Sequence, residues 1–147
     1  MFVSSNINSL ELHLTMNNNK YVFIVEDSVL IANHLFNSLS ENTKLLKIGF
    51  ANNGKDALKE IIRNPPDVVL LDLGLPDRSG LDVLRKIKEQ KSNTAVVVLT
   101  NNANNSFRKE CKKLGAVGFY DKSHEFDEAI EKVKILTTKI NPNEGSN

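Results

Sequence analysis

One cysteine, Cys111, leaves no partner for an internal disulfide, so a fold suited to a reducing cytoplasm is expected. Charge of neither sign dominates: 19 Lys and Arg stand against 18 Asp and Glu. With no basic run either, the electrostatic footprint of a direct nucleic-acid binder is missing. No stretch approaches the roughly 20 apolar residues of a membrane span, and the amino terminus has no basic start followed by an apolar run. Neither a membrane segment nor a secretory leader is therefore expected. His13, His34 and His124 have no ligand spacing, which argues against a transition-metal centre. The seven glycines form no phosphate loop.

What is present is the composition of one soluble globular domain: 147 residues, 40% hydrophobic and 25% charged. Residues 1–19 are rich in Ser and Asn, with an isolated alternation at Leu10, Leu12 and Leu14. They read as an extension whose composition allows disorder. From Tyr21 the pattern is regular. Tyr21 to Val25, Leu45 to Ala51, Val68 to Leu71, Ala95 to Leu99 and Val117 to Tyr120 are short apolar runs that read as strands, the first, third and fourth buried on both faces.

Helical patterns separate the strands. Leu30, Ile31, Ala32, Leu35, Phe36 and Leu39 follow Ser28, a capping residue. Asn53-Gly54 reads as a turn before Ala57, Leu58, Ile61 and Ile62, a helix stopped by Pro65-Pro66. Ser79 to Lys88 places Leu81, Leu84 and Ile87 inward. Phe107, Cys111 and Leu114 form the stripe of a fourth helix stopped by Gly115, with Cys111 as core and not as a nucleophile. The last helix is expected from about Ser123, with Phe126, Ala129, Ile130, Val133 and Ile140 buried, before a polar tail at 141–147. Five strand–helix alternations argue a parallel sheet covered on both sides.

In such a sheet the carboxyl ends of all strands lie on one edge, where open α/β sheets bind ligands. The residues there are Glu26 and Asp27, Asp72, Thr100 and Lys122. Carboxylates crowded together need a cation, and a hard divalent ion such as Mg2+ or Mn2+ suits oxygen ligands. Metal, ammonium and hydroxyl together suit a phosphoryl group, with a carboxylate as its acceptor.

The order Glu26-Asp27, Asp72-Leu-Gly-Leu-Pro76 with Gly80, Thr100 and Phe119-Tyr-Asp-Lys122 resembles the receiver domain of two-component response regulators, over about residues 20–140. The resemblance implies a flavodoxin-like fold with strand order 2-1-3-4-5. It implies that Asp72 takes a phosphoryl group from the phosphohistidine of a sensor histidine kinase or histidine phosphotransfer protein. Asp27, Asp72 and the Gly74 carbonyl would hold the metal, Glu26 helping through water. Thr100 and Lys122 would contact the acyl phosphate, and Phe119 would be the switch aromatic.

Departures from the family pattern bear on rates. Asn101 stands where a small residue is usual and narrows the approach to Asp72. Ser123 replaces the Pro that commonly follows the lysine through a cis bond. Gly74 and Asn102 occupy positions that tune attack by water, and Gly74 has no side chain to orient it, so slow autodephosphorylation is expected.

The expected protein is a stand-alone receiver with no output domain, signalling to a downstream protein through the fourth helix, fifth strand and fifth helix. The same face is a candidate for homodimerisation. A phosphorylation-independent interaction module and a small aspartyl-phosphate phosphotransferase are the alternatives. The latter usually carries an acid-base carboxylate where Gly74 stands. An FMN-binding flavodoxin fits poorly, because an anionic crevice repels its phosphate.

Overall fold

A computed structural model describes residues 20–41 and 46–138. Five parallel strands, β1 (Tyr21–Val25), β2 (Lys47–Ala51), β3 (Val68–Leu71), β4 (Ala95–Thr100) and β5 (Gly118–Asp121), lie in the order β2-β1-β3-β4-β5. They alternate with α1 (Val29–Ser40), α2 (Gly54–Arg63), α3 (Gly80–Glu89), α4 (Asn105–Lys113) and α5 (Phe126–Thr138). This is the flavodoxin-like order, with a crossover reversal between β1 and β3. The calls on residues 1–19, Leu45, Ile140 and the tail at 141–147 lie outside the described residues.

The central strands are apolar throughout because both their faces are covered. Phe23, Val25, Val69, Leu71, Val96, Val98 and Phe119 pack with Ala57, Leu58 and Ile61 of α2, Val83, Leu84 and Ile87 of α3 and Cys111 of α4. Val22, Ile24, Val68, Leu70, Val97 and Leu99 point the other way, onto Leu35 and Leu39 of α1 and Ala129, Ile130 and Val133 of α5. Each buried Leu, Ile or Val contributes about 1.5–3 kcal/mol relative to exposure. The Cys111 thiol is fully buried. Burial, with a smaller contribution from Glu110, pushes its pKa up to about 11, so it stays protonated and inert.

Three element readings are corrected. The last helix starts at Phe126, not near Ser123, because Asp121 claims the intervening residues. Its carboxylate accepts the Ser123 N–H at 2.8 Å and its carbonyl accepts the Glu125 N–H at 2.7 Å. Gly54 is the first residue of α2 and not part of a turn, since the Asn53 side chain caps the helix by accepting the Asp56 N–H at 2.8 Å. Leu30, Phe36 and Ile62, assigned to apolar stripes, are exposed. Phe36 and Ile62 sit at the margins of their stripes and Leu30 on the far side of α1, so the 3.6-residue period turns all three side chains away from the sheet.

Candidate functional site

Strand register sets the site. Val25 pairs with Leu71, Leu71 with Val98, and Thr100 with Asp121, so the strands finish level at one edge. The ladder runs one residue past each end: the Asp72 N–H donates to the Val25 carbonyl at 3.1 Å, Glu26 to Ala51 at 3.0 Å and Lys122 to Thr100 at 3.0 Å. The backbone thus fixes the residues that carry the chemistry, and their side chains leave the sheet as a group.

Lys122 joins them. Its Nζ donates to Glu26 Oε1 at 2.6 Å and to Asp72 Oδ2 at 2.9 Å, with all three side chains 3–8% exposed. Asp72 Oδ1 accepts the Gly74 N–H at 3.1 Å, and Glu26 Oε2 accepts that of Ser28 at 3.0 Å. Burial raises the Glu26 carboxyl above its ordinary value, against the hydrogen bonds from Lys122 and Ser28 and the charge of Lys122. Burial also works to neutralise Lys122, but its hydrogen bonds to Glu26 and Asp72 outweigh that and hold the ammonium above its ordinary pKa. Its charge, and the stability that charge brings, persist at neutral pH and are lost only as pH rises past the unfolded value of 10.5.

Thr100 is buried, and its Oγ1 accepts the Asn102 N–H at 3.1 Å, which leaves the hydroxyl proton free to donate elsewhere. Exposed Asp27 completes an acidic cluster: carboxylate oxygens of Glu26, Asp27 and Asp72 lie within 4.8 Å of one another. The cluster thus holds three carboxylates, and the Lys122 ammonium contacts two of them, Glu26 and Asp72. An oxygen-only donor set with unbalanced negative charge fits a hard divalent cation of the Mg2+ or Mn2+ kind. These residues, with Gly74, Asn101 and Asn102, line a cavity of about 260 Å³. A wider groove of about 440 Å³ adjoins it beside Lys122 and Asn101, between α1 and the start of α5, where His34 stacks on Phe126 at 4.3 Å.

The loop that carries Asp72 is braced. Gly74 bridges Ser79, the Gly80 N–H donates to Leu73 O at 2.9 Å, and the Asp77 carboxylate accepts the Gly54 and Lys55 N–H groups at 2.8 and 2.9 Å. Those backbone bonds, the Gly54 one foremost, hold the Asp77 carboxyl below its ordinary pKa. Gly80 is required by close approach: a Cβ there would sit 2.6 Å from Leu73 Cα and press on the Asp72 carbonyl oxygen. Gly80→Ala is expected to cost about 1–3 kcal/mol in urea denaturation, since backbone and not a pliant side chain stands in the way. An unchanged midpoint would show that the loop yields freely.

All the residues predicted at the strand ends are brought together. Phe119 is buried, packed on the face that α4 covers. No cis peptide bond occurs among the described residues, so Lys122–Ser123 is trans. Two contributors had no sequence signal: Asp77, whose partners lie 22 and 23 residues away, and Arg108. Arg108 of α4 places its guanidinium 4.6 Å over the Phe119 ring and donates from Nη1 to the Phe119 carbonyl at 3.0 Å.

Comparison with known proteins places the geometry. The family profile described as response regulator receiver domain matches residues 22–134. The uncharacterized transcriptional regulatory protein YvfU of Bacillus subtilis (strain 168) is 31% identical over 113 residues, 77% of this chain and 56% of that protein. The chain spans about half the length of the curated transcriptional regulators it matches. Among solved structures, the signal receiver domain of a putative Luxo repressor protein from Vibrio parahaemolyticus superposes with TM-score 0.75 at 28% identity, over 82% of this chain and 92% of that one. The receiver domain of the Francisella response regulator 1452 gives TM-score 0.74 at 29% identity, over 82% and 98%.

Proposed function

Since this chain belongs to the response regulator receiver domain family, we propose that it accepts a phosphoryl group on Asp72 from the phosphohistidine of a sensor histidine kinase or histidine phosphotransfer protein. The observation that carries this reading is the single ammonium of Lys122 between buried Glu26 and Asp72, inside a three-carboxylate cluster. A carboxylate oxygen of Asp72 attacks phosphorus, and a P–O bond forms as the P–N bond to the donor imidazole breaks. The electron pair stays on that nitrogen, which takes up a proton.

Lys122, 2.9 Å from Asp72 Oδ2, is near enough to move onto a phosphoryl oxygen, and the free hydroxyl proton of Thr100 is available to another. Asp27, Asp72 and the Gly74 carbonyl would hold Mg2+ or Mn2+, with Glu26 acting through water. The metal supplies neutralisation of phosphoryl charge. The groove beside Lys122 and Asn101 gives the donor imidazole a path.

Gly74 leaves the space beside the nucleophile open: a Cβ there would reach no neighbour closer than Asp72 Oδ1 at 4.0 Å. With no side chain to orient water, hydrolysis of the acyl phosphate is slow. The phosphorylated state is read by protein contact at the α4, β5 and α5 face, where Phe119 acts as the switch aromatic and homodimerisation is a candidate outcome. The setting is the cytoplasm.

The test is intact-mass spectrometry after incubation with acetyl phosphate and Mg2+. One phosphoryl adduct is expected, absent when EDTA removes the metal. No adduct from acetyl phosphate and none from a phosphohistidine donor would overturn the reading.

A further inference from the structure

The oxygens offered to a cation come from two separate loops: Glu26 and Asp27 follow β1, while Asp72 and Gly74 follow β3. Where one loop sits against the other decides whether their donors reach a common point. Part of that spacing is fixed in the sheet, where the Asp72 N–H donates to Val25 O at 3.1 Å and the Glu26 N–H to Ala51 O at 3.0 Å. The rest is fixed outside it. Ala51 ends β2, Asn53 caps α2, and the next two backbone N–H groups, those of Gly54 and Lys55, donate to the Asp77 carboxylate at 2.8 and 2.9 Å.

These bonds close a ring of backbone around the donor set. It runs from Val25 to Glu26, across to Ala51, along to Gly54, across to Asp77, back through the loop to Asp72 and across to Val25. Every crossing joins two backbone groups except one. That one is the Asp77 side chain, which gives both its oxygens to a single helix end.

The place of Asp77 in its loop carries the tether to the site. Gly74 and Ser79 bridge each other on either side of it, and Gly74 donates its N–H to Asp72 Oδ1 at 3.1 Å. A displacement of Asp77 is thus felt at the Gly74 backbone and at the Asp72 carboxylate. Neighbouring charge competes weakly: Arg78 Nε stands 3.5 Å from Asp77, longer than a good hydrogen bond, and Arg78 Nη1 leans towards Asp82 at 3.6 Å.

Building on the receiver reading, we propose that Asp77 is a positioning residue for the cation: by fastening its loop to the α2 amino terminus it holds the Gly74 carbonyl and the Asp72 carboxylate opposite Asp27, and so sets how tightly Mg2+ binds. Asp77 itself stands outside the cavity. Partners that orient metal ligands from outside are worth about ten- to a hundredfold in metal affinity.

The experiment titrates Mg2+ into the full chain and into Asp77→Ala, Asp77→Asn and Asn53→Ala, following the amide signals of Asp27, Asp72 and Gly74 by NMR. For Asp77→Ala the half-saturating Mg2+ concentration is expected to rise about tenfold. Asp77→Asn keeps one acceptor oxygen without the charge, and is expected between Asp77→Ala and the natural chain. Asn53→Ala removes the other cap of the same helix, the bond from the Asp56 N–H, and leaves the tether in place. Its Mg2+ affinity is expected to match that of the natural chain. In metal-free protein, hydrogen exchange of the Gly80 amide, bonded to Leu73 O, is expected to quicken in Asp77→Ala and not in Asn53→Ala.

An unchanged Mg2+ affinity in Asp77→Ala would overturn the proposal. So would an equal loss in Asn53→Ala, which would trace the effect to helix stability. If the natural chain itself gives no Mg2+ response, the metal site fails and the receiver chemistry with it. The Gly80 exchange then decides the role of Asp77 alone: a selective quickening upholds its hold on the loop, and an unchanged rate refutes it.

Discussion

Asp72→Asn is expected to take up no phosphoryl group from acetyl phosphate in the presence of Mg2+, at a rate at least about a thousandfold below that of the natural chain. The amide has no anionic oxygen to attack phosphorus, and it removes one of the three carboxylates whose oxygens lie within 4.8 Å. The substitution is nearly isosteric, but the Gly74 N–H and the Lys122 ammonium use different oxygens of Asp72, so only one of them keeps an acceptor and the other faces the amide NH2. Urea denaturation of the variant is expected to stay cooperative, which separates lost chemistry from lost fold. Intact mass gives the answer directly, and digestion locates any residual adduct. An adduct of natural intensity that maps to exposed Asp27 would make that residue the acceptor and Asp72 only a ligand of the cluster.

The second large effect concerns stability. Lys122→Met fills nearly the same volume but leaves Glu26 and Asp72 facing each other without a cation, their side chains 3% and 8% exposed. Removing one partner of a buried ionic group costs about 3–5 kcal/mol at neutral pH. The pH dependence carries a sign. The Glu26 carboxyl is already raised by burial, and the Lys122 hydrogen bond is what opposes that rise. In the variant its folded pKa therefore moves further above the unfolded value of 4.5, so the folded state holds the proton more tightly than the unfolded one.

The deficit should then be smallest below the unfolded value and grow as pH rises through the folded pKa. Mg2+ in millimolar amounts is expected to restore part of the loss, because a cation bound only by the folded cluster stabilises it. Urea denaturation at several pH values, with and without Mg2+, reads all three effects. A loss under about 1 kcal/mol that ignores both pH and metal would mean that water, not Lys122, balances the carboxylates.

The fold was largely legible because the sheet is parallel and covered on both faces. That arrangement makes Val68-Val69-Leu70-Leu71 and Val96-Val97-Val98-Leu99 apolar throughout. The site was legible for the same reason: an ionisable residue directly after such a run has nowhere to go but the edge. The features that were missed are those set by distant partners. Asp77 looks like a turn residue until its carboxylate is seen on the α2 amino terminus, and Arg108 like one more solvated cation of α4 until its guanidinium is found on Phe119. The start of α5 was misplaced because an acidic stretch favours a helix amino terminus in general, and only the Asp121 hydrogen bonds show that Ser123 and His124 belong to a turn.

The bracing of the Asp72 loop has a mechanical meaning. On that side of the cavity a bridge at Gly74 and Ser79, a backbone bond from Gly80 and two bonds to Asp77 fasten a short segment to the sheet and to α2. On the opposite side, the asparagine-rich segment after Thr100 is held by the Asn102 bond, by the Asn104 cap of α4 and by the partial packing of Ala103. The cavity is therefore a vice with one fixed jaw and one sliding jaw. If Asp72 is phosphorylated as proposed, force developed between them is expected to displace the lightly fastened side, so that the event at Asp72 moves the start of α4 more than it moves the nucleophile.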